Sequence, residues 1–199
     1  EVDLVREGAV CAPTPCDAAR SNEVVVICVS DTPDVEAVIF GDRGIVHGAA
    51  PGTRIIDMST ISPSATRRMA ARLAESGLRM LDAPVSGGSE GARHASLSIM
   101  AGADDEDFAA VEPLLKTMGR TVTHIGPVGS GQLAKAVNQV IVAGTYLSVV
   151  EGLCFGLKAG LDMERVVAAV SGGAAGSWTL THRAGNILRP AHGTRRIGG

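Results

Sequence analysis

Three stretches of this chain combine residue types that can handle an anion, a hydroxyl group or a proton. The first is Asp57-Met58-Ser59-Thr60-Ile61-Ser62-Pro63, where an apolar run ends in hydroxyls just before a helical pattern. In open α/β sheets ligands bind at the carboxyl ends of strands. Thr60 can donate a hydrogen bond there, and the free amides of a helix start favour an anion. Capping by Ser59 or Ser62 accounts for the same residues without a ligand. The second is Asp82-Ala83-Pro84-Val85-Ser86-Gly87-Gly88-Ser89-Glu90-Gly91-Ala92. Its glycines let backbone N–H groups converge on a carboxylate, and Ser86 adds a hydroxyl. A flexible loop is the plainer reading. The third is Gly129-Ser130-Gly131-Gln132-Leu133-Ala134-Lys135-Ala136-Val137-Asn138-Gln139. Lys135 and Asn138 share a helix face at a spacing of three, with Gln139 close to it. An amine and two amides on an apolar helix are costly unless they meet a partner or line a cavity. In a closed pocket a lysine acts as a general acid toward a carbonyl oxygen, because burial tunes its pKa. A lysine snorkelling at a helix start is the alternative.

The elements that would position these stretches can be read from periodicity. Short apolar runs predict strands at Val24–Val29, Arg54–Asp57, Arg79–Asp82, Ser96–Met100 and Thr121–Ile125. Helical spacing predicts helices at Asp34–Phe40, Ser62–Ser76 and Asp104–Met118. Ser62 caps the second, Pro63 opens it and Gly77 ends it. Its apolar stripe is Ala65, Met69, Leu73 and Ala74. Four acids open the third helix, and Pro113 should kink or split it. Strands alternating with helices imply a parallel sheet covered on both faces. The Leu97–Met100 run has short flanking loops, which permit antiparallel pairing. Near the start, Val2–Glu7 reads as a helix tail ended by Gly8, Ala9-Val10 as a very short strand, and Asp17–Ser21 as a helical turn. Beyond Gly126-Pro127-Val128-Gly129-Ser130-Gly131 the texture becomes all-helical. One long helix covers Gln132–Leu157, and shorter ones cover Asp162–Ser171 and Ser177–Leu188. Residues 1–128 thus form an α/β domain and residues 129–199 a helical one.

Composition narrows the classes. With 18 Lys and Arg against 21 Asp and Glu, the net charge of −3 gives no general attraction to nucleic acid or anionic membranes. Hydrophobic residues at 45% with 20% charged fit a folded chain and not a disordered one. Cys11, Cys16, Cys28 and Cys154 form no CxxC pair or disulfide scaffold, so a reducing cytoplasm is the default. Cys28 and Cys154 lie in apolar runs and are expected to be buried. The run from Ala136 to Val150 is shorter than the roughly 20 apolar residues of a membrane span and predicts a buried helix. The five histidines have no metal-ligand spacing, which predicts no metal site. Gly129-Ser130-Gly131 fails as a dinucleotide fingerprint: Ala134 replaces the third glycine, and no βαβ unit follows.

Together, in this order and spacing, the three motifs resemble the β-hydroxyacid dehydrogenase family, over about Val2 to Pro190. The resemblance implies a Rossmann-like doubly wound sheet for NAD or NADP, followed by an all-helical domain built on one long helix. It implies that Lys135 is catalytic and that Ser86, Gly87 and Gly88 hold a substrate carboxylate. Asn138 and Gln139 would orient the substrate hydroxyl. Val29, Ser30, Asp34 and Thr60 fall where the family contacts its cofactor; Ser30 stands where a Pro is common. The expected substrate is a small 3-hydroxy acid or its semialdehyde. The family's opening strand, GxGxxG turn and ribose-binding strand have no counterpart in these residues, nor do its later helices. The chain is therefore expected to be a middle portion, lacking the first βαβ part and truncated after residue 199, with no useful dinucleotide binding of its own. The long helix is apolar nearly all round and must be buried, so a homo-oligomer is expected for the complete protein. Two other readings compete. A non-catalytic, reader-like relative would lose the lysine or add a basic tract, and this chain does neither. The chain could also be an inactive truncated product.

Overall fold

The computed structural model describes residues 2–189; the tail at 190–199, with His192, lies outside them. Two compact units divide the chain, Glu1–Val137 and Asn138–Gly199. The first opens on helices α1 (Val2–Arg6) and α2 (Pro15–Ala19), the latter capped by Thr14, whose Oγ1 accepts from Asp17 N at 3.1 Å. Ala9-Val10 is not a strand. Two residues with Val10 almost fully exposed have no apolar face to bury against a neighbour. Strand β1 (Val24–Ile27) leads to α3 (Thr32–Phe40), β2 (Arg54–Asp57) to α4 (Pro63–Ala74), and β3 (Arg79–Asp82) to the two-residue strand β4 (Val85–Ser86) and short helix α5 (Gly88–Arg93). Strand β5 (Leu97–Gly102), helix α6 (Asp105–Lys116) and strand β6 (Gly119–Gly126) follow.

Strands β1, β2 and β3 are parallel and in register, so that Ile27, Asp57 and Asp82 end level with one another. Strand β5 runs antiparallel to β3 and β4 and parallel to β6, making a mixed six-stranded sheet. The connection from β4 to β5, residues 87–96, is too short for a crossover, so that pair is antiparallel, whereas α6 provides the crossover to parallel β6. One core holds Ile39, Ile55 and Leu73 and the other Ile56, Leu81 and Leu115. Strand β6 is half exposed along its length, so coverage of the sheet is incomplete there.

Helix α4 starts where its sequence demands. Ser62 caps it, Pro63 opens it, and Gly77 takes a φ of +71° just beyond its end. Its buried stripe is Ala65, Thr66, Met69 and Leu73; Ala74 is exposed, one position past the sheet-facing side. Pro113 does not split α6. It forgoes the one bond its N–H would have made to the Ala109 carbonyl, and the helix runs on to Lys116.

The first turns of helix α7 (Ser130–Lys158) belong to the first unit. In the second unit α7 continues and is joined by α8 (Met163–Ser171), capped by Asp162, and α9 (Trp178–Ile187), capped by Ser177. Leu153, Met163, Leu180 and Ala184 form its small core. The expectation of a buried stretch at Ala136–Val150 is overturned: Val140, Ile141 and Leu147 are more than 60% exposed. An all-round apolar helix covered on one side must leave apolar surface on the other. At 29 residues the helix is also long and apolar enough to cross a membrane by length and composition. Cys28 and Cys154 are exposed rather than buried, because the first lies just past the outermost strand β1 and the second on the uncovered side of α7. Cys16 is the buried thiol.

Candidate active site

The site assembles where β1, β2 and β3 end. After β2 the chain turns sharply, and Asp57 Oδ1 accepts from Ser59 N at 3.0 Å. Ser59 Oγ in turn accepts from Val29 N at 2.9 Å, which ties the loops after β1 and β2 together. Thr60 remains exposed beyond that tie, with Ser30 and Asp34 exposed on the β1 side. Asp31 Oδ1 accepts from Thr32 N at 2.6 Å and starts α3.

After β3, Asp82 is fully buried. Its Oδ1 accepts from Gly129 N at 2.6 Å and its Oδ2 from Gln132 N at 2.8 Å, so one carboxylate meets the N-terminal amides of α7. An anion is favoured there by the helix dipole and by charge-assisted bonds. Gln132 is also buried. Its Nε2 donates to Ser59 O at 2.8 Å and its Oε1 accepts from Ile61 N at 3.1 Å, bracketing Thr60. Gly87 and Gly88 have φ of +134° and +63°, a backbone that side-chain-bearing residues rarely adopt, and both are exposed beside half-buried Ser86. Lys135 is buried, and its Nζ donates to Val85 O at 2.7 Å. No carboxylate among the described residues pairs with it, and burial lowers its pKa from the ordinary lysine value. Burial likewise raises the carboxyl pKa of Asp82, against the bonds from Gly129 and Gln132. Asp57 is pushed up to about 6 by burial, opposed by its bonds from Ser59 and reinforced by the charge of Asp82. Its Oδ2 has no hydrogen-bond partner among the described residues.

A neutralisable amine held beside a Ser-Gly-Gly turn can exchange a proton with a small oxygen compound whose carboxylate lies on that turn. A model of the NAD binding domain of 6-phosphogluconate dehydrogenase matches residues 2–126, and a model of the NAD-binding of NADP-dependent 3-hydroxyisobutyrate dehydrogenase matches residues 129–195. The chain belongs to the β-hydroxyacid dehydrogenase family. It is 44% identical over 178 residues to a 2-hydroxy-3-oxopropionate reductase of Escherichia coli, covering 89% of this chain and 61% of that protein. A 3-hydroxyisobutyrate dehydrogenase of Mycobacterium tuberculosis, solved with L-serine, superposes with a TM-score of 0.82 at 28% identity, covering 96% of this chain and 63% of the other. One from Salmonella typhimurium superposes with a TM-score of 0.84 at 28% identity, covering 94% and 66%. The chain spans 59–65% of the length of the first curated relatives it matches.

In this member of the family, the first unit brings together Lys135 and the Val85-Ser86-Gly87-Gly88 turn, and sets Val29, Ser30 and Asp34 at the same sheet end as Thr60. Asn138 and Gln139 open the second unit, where Asn138 Nδ2 donates to Gln139 Oε1 at 3.0 Å. The groups left exposed after β1 and β2 are the carboxylates of Asp31 and Asp34, which can accept hydrogen bonds, and the Thr60 hydroxyl, which can donate. Val29 has its amide occupied by Ser59, so it can offer a ligand only its carbonyl and side chain. Sequence reasoning passed over Asp57, Ser59 as a tie, Asp82 and Gln132. A signal for the two acids was present: Arg54-Ile55-Ile56-Asp57 and Arg79-Met80-Leu81-Asp82 each close a buried strand with a carboxylate.

Proposed function

We propose that the protein carrying this chain is an NAD(P)-dependent oxidoreductase of a small 3-hydroxy acid or its semialdehyde. The observation that carries this is the buried Lys135 ammonium, held 2.7 Å from the Val85 carbonyl at the edge of the Ser86-Gly87-Gly88 turn. A nicotinamide cofactor, when bound, supplies or takes the hydride. Residues Val29, Ser30, Asp34 and Thr60 would hold it. The N–H groups of Gly87 and Gly88 and the Ser86 hydroxyl hold the substrate carboxylate. By resemblance to the family, Asn138 and Gln139 are assigned to the substrate hydroxyl. In the reducing direction Lys135 gives a proton from Nζ to the carbonyl oxygen; in the oxidising direction it takes the proton of the hydroxyl. Burial moves its pKa down from the ordinary lysine value, the direction that suits a group exchanging a proton with substrate.

The test is a panel of C3 and C4 semialdehydes and hydroxy acids, assayed with NADH, NADPH and their oxidised forms on the full-length protein and its Lys135→Ala variant. Turnover in the wild type and a loss of about 10²–10⁴-fold in kcat, with cofactor KM within about threefold, is the expected result. Equal turnover of the two proteins would remove Lys135 from the chemistry.

A further inference from the structure

We propose that Asp82 and Gln132 are positioning residues that lock the two ligand-facing loops and Lys135 into one geometry. Asp82 is the last residue of β3. Three residues on, Val85, the first residue of β4, presents the carbonyl that receives Lys135 Nζ. The carboxylate of Asp82 also receives the amides of Gly129 and Gln132, at the start of the helix that carries Lys135. Strand end, carboxylate, helix start, lysine and loop carbonyl therefore close a ring. From Gln132 to Lys135 is less than one helical turn, so a shift of the helix start is passed to Nζ almost undiminished. Gln132 extends the ring: its amide holds Ser59 O and Ile61 N, on either side of Thr60.

The space around the ring is fitted to it. A Cβ on Gly102 would overlap Asp82 Oδ1, and one on Gly131 would overlap the Met100 carbonyl and crowd Asp82 Oδ2 at 2.9 Å. Two glycines thus admit the helix start to the carboxylate at hydrogen-bond distance. A buried anion with no cation partner is costly for a fold that needs only packing. Here it does what an apolar residue could not: it fixes the helix start by two directional bonds. None of these groups meets the substrate. They act through Lys135 and Thr60, where a misplacement of about 1 Å is enough to cost on the order of 10²-fold in rate.

The inference rests on Lys135 as the acid–base group, and the experiment separates the two. Asp82→Asn keeps the volume but leaves one acceptor oxygen for two N–H donors. In the full-length protein, amide exchange at Gly129 or Gln132 should quicken at least about tenfold, and kcat should fall about 10–100-fold, with both KM values within about threefold. The pH profile of Lys135 acylation, read by mass spectrometry, should shift at the same time. Gln132→Met removes the bonds to Ser59 and Ile61 but leaves the Asp82 carboxylate intact. It should quicken exchange at Ile61 but not at Gly129, and raise cofactor KM more than it lowers kcat. Lys135→Ala serves as control, losing turnover while exchange at Gly129 and Gln132 stays unchanged. If Lys135→Ala keeps full turnover, the catalytic reading falls, and the exchange and acylation data still decide the lock. Unaltered exchange and acylation in folded Asp82→Asn and Gln132→Met proteins would overturn the lock. So would failure of both variants to fold, which would make these bonds general supports of the domain.

Discussion

Strands β2 and β3 carry the same charges at the same ends, and the two ends are handled in opposite ways. At the start of the strands Arg54 lies beside Arg79; at their close Asp57 lies beside Asp82. Like charges opposite each other destabilise a sheet. At the first end α6 supplies the remedy: buried Asp107 takes Arg54 Nε at 2.9 Å and lies 3.8 Å from Arg79 Nη1. At the second end no cation pairs with either carboxylate among the described residues. Asp82 is held by helix amides, and Asp57 by a single serine amide. The difference teaches where the fold is made for stability and where for chemistry. At the salt-bridged end one buried carboxylate answers both arginines, and no ligand is needed. The other end keeps oriented donors, a lysine of lowered pKa and open loops, at a cost in stability.

The most damaging single change should be at the last residue of β5, which pairs with the close of β3. Gly102→Ala places a methyl group against Asp82 Oδ1 and 2.8 Å from Gly131 N. Neither backbone nor carboxylate can move without breaking the helix start. We expect a loss of about 3 kcal/mol or more in denaturant unfolding, the upper range for overpacking, and a fall in kcat at temperatures where the variant is still folded. Wild-type stability in this variant would mean that the helix start is not pinned as tightly as the second end of the comparison requires.

The opposite end should respond in stability alone. Asp107→Ala leaves two neighbouring guanidinium groups without their shared carboxylate. Arg79 is more than half exposed and is screened by water, so most of the effect comes through Arg54. Unfolding free energy should drop by about 2 kcal/mol, while kcat stays within about twofold at permissive temperature. A large drop in kcat there would show that the two ends are coupled and would undo the division between them.

What the sequence disclosed follows the same line. Strands β2 and β3, the capped helix α4 and the chain of motifs were legible because each rests on local pattern: apolar runs, a Ser-Pro start, a glycine stop. Lys135 and the Ser86-Gly87-Gly88 turn were legible as types suited to a proton and a carboxylate. Asp82 and Gln132 were not, since their meaning lies in partners about 50 and 70 residues away. The exposed flank of α7 was misjudged for a related reason. Its composition tells that the helix is apolar all round, but not which side a neighbour covers. Cys28 was misread because an apolar run does not reveal that it ends an outermost strand.

The smallest expected effect sharpens the comparison by its sign. Asp57 titrates near 6 in the folded chain against 3.8 for a free aspartate side chain, so between about pH 4 and 6 the native state binds more protons than the unfolded one. Stability from this group is thus full below pH 4 and is lost as pH rises through 6, worth about 3 kcal/mol if the whole shift is realised. Asp57→Asn keeps the acceptor for Ser59 N and removes the charge. Its new amide must find its own partner where Oδ2 has none, which offsets part of the gain. The variant should therefore be more stable than wild type by about 1–2 kcal/mol at pH 8, with the advantage shrinking to nothing or reversing near pH 4. Urea unfolding of both proteins across pH 4–8 would show it. An advantage that grew toward low pH would mean that Asp57 is stabilised as an anion. Its end of the strands would then be as well neutralised as the arginine end, and the contrast between the two would not hold.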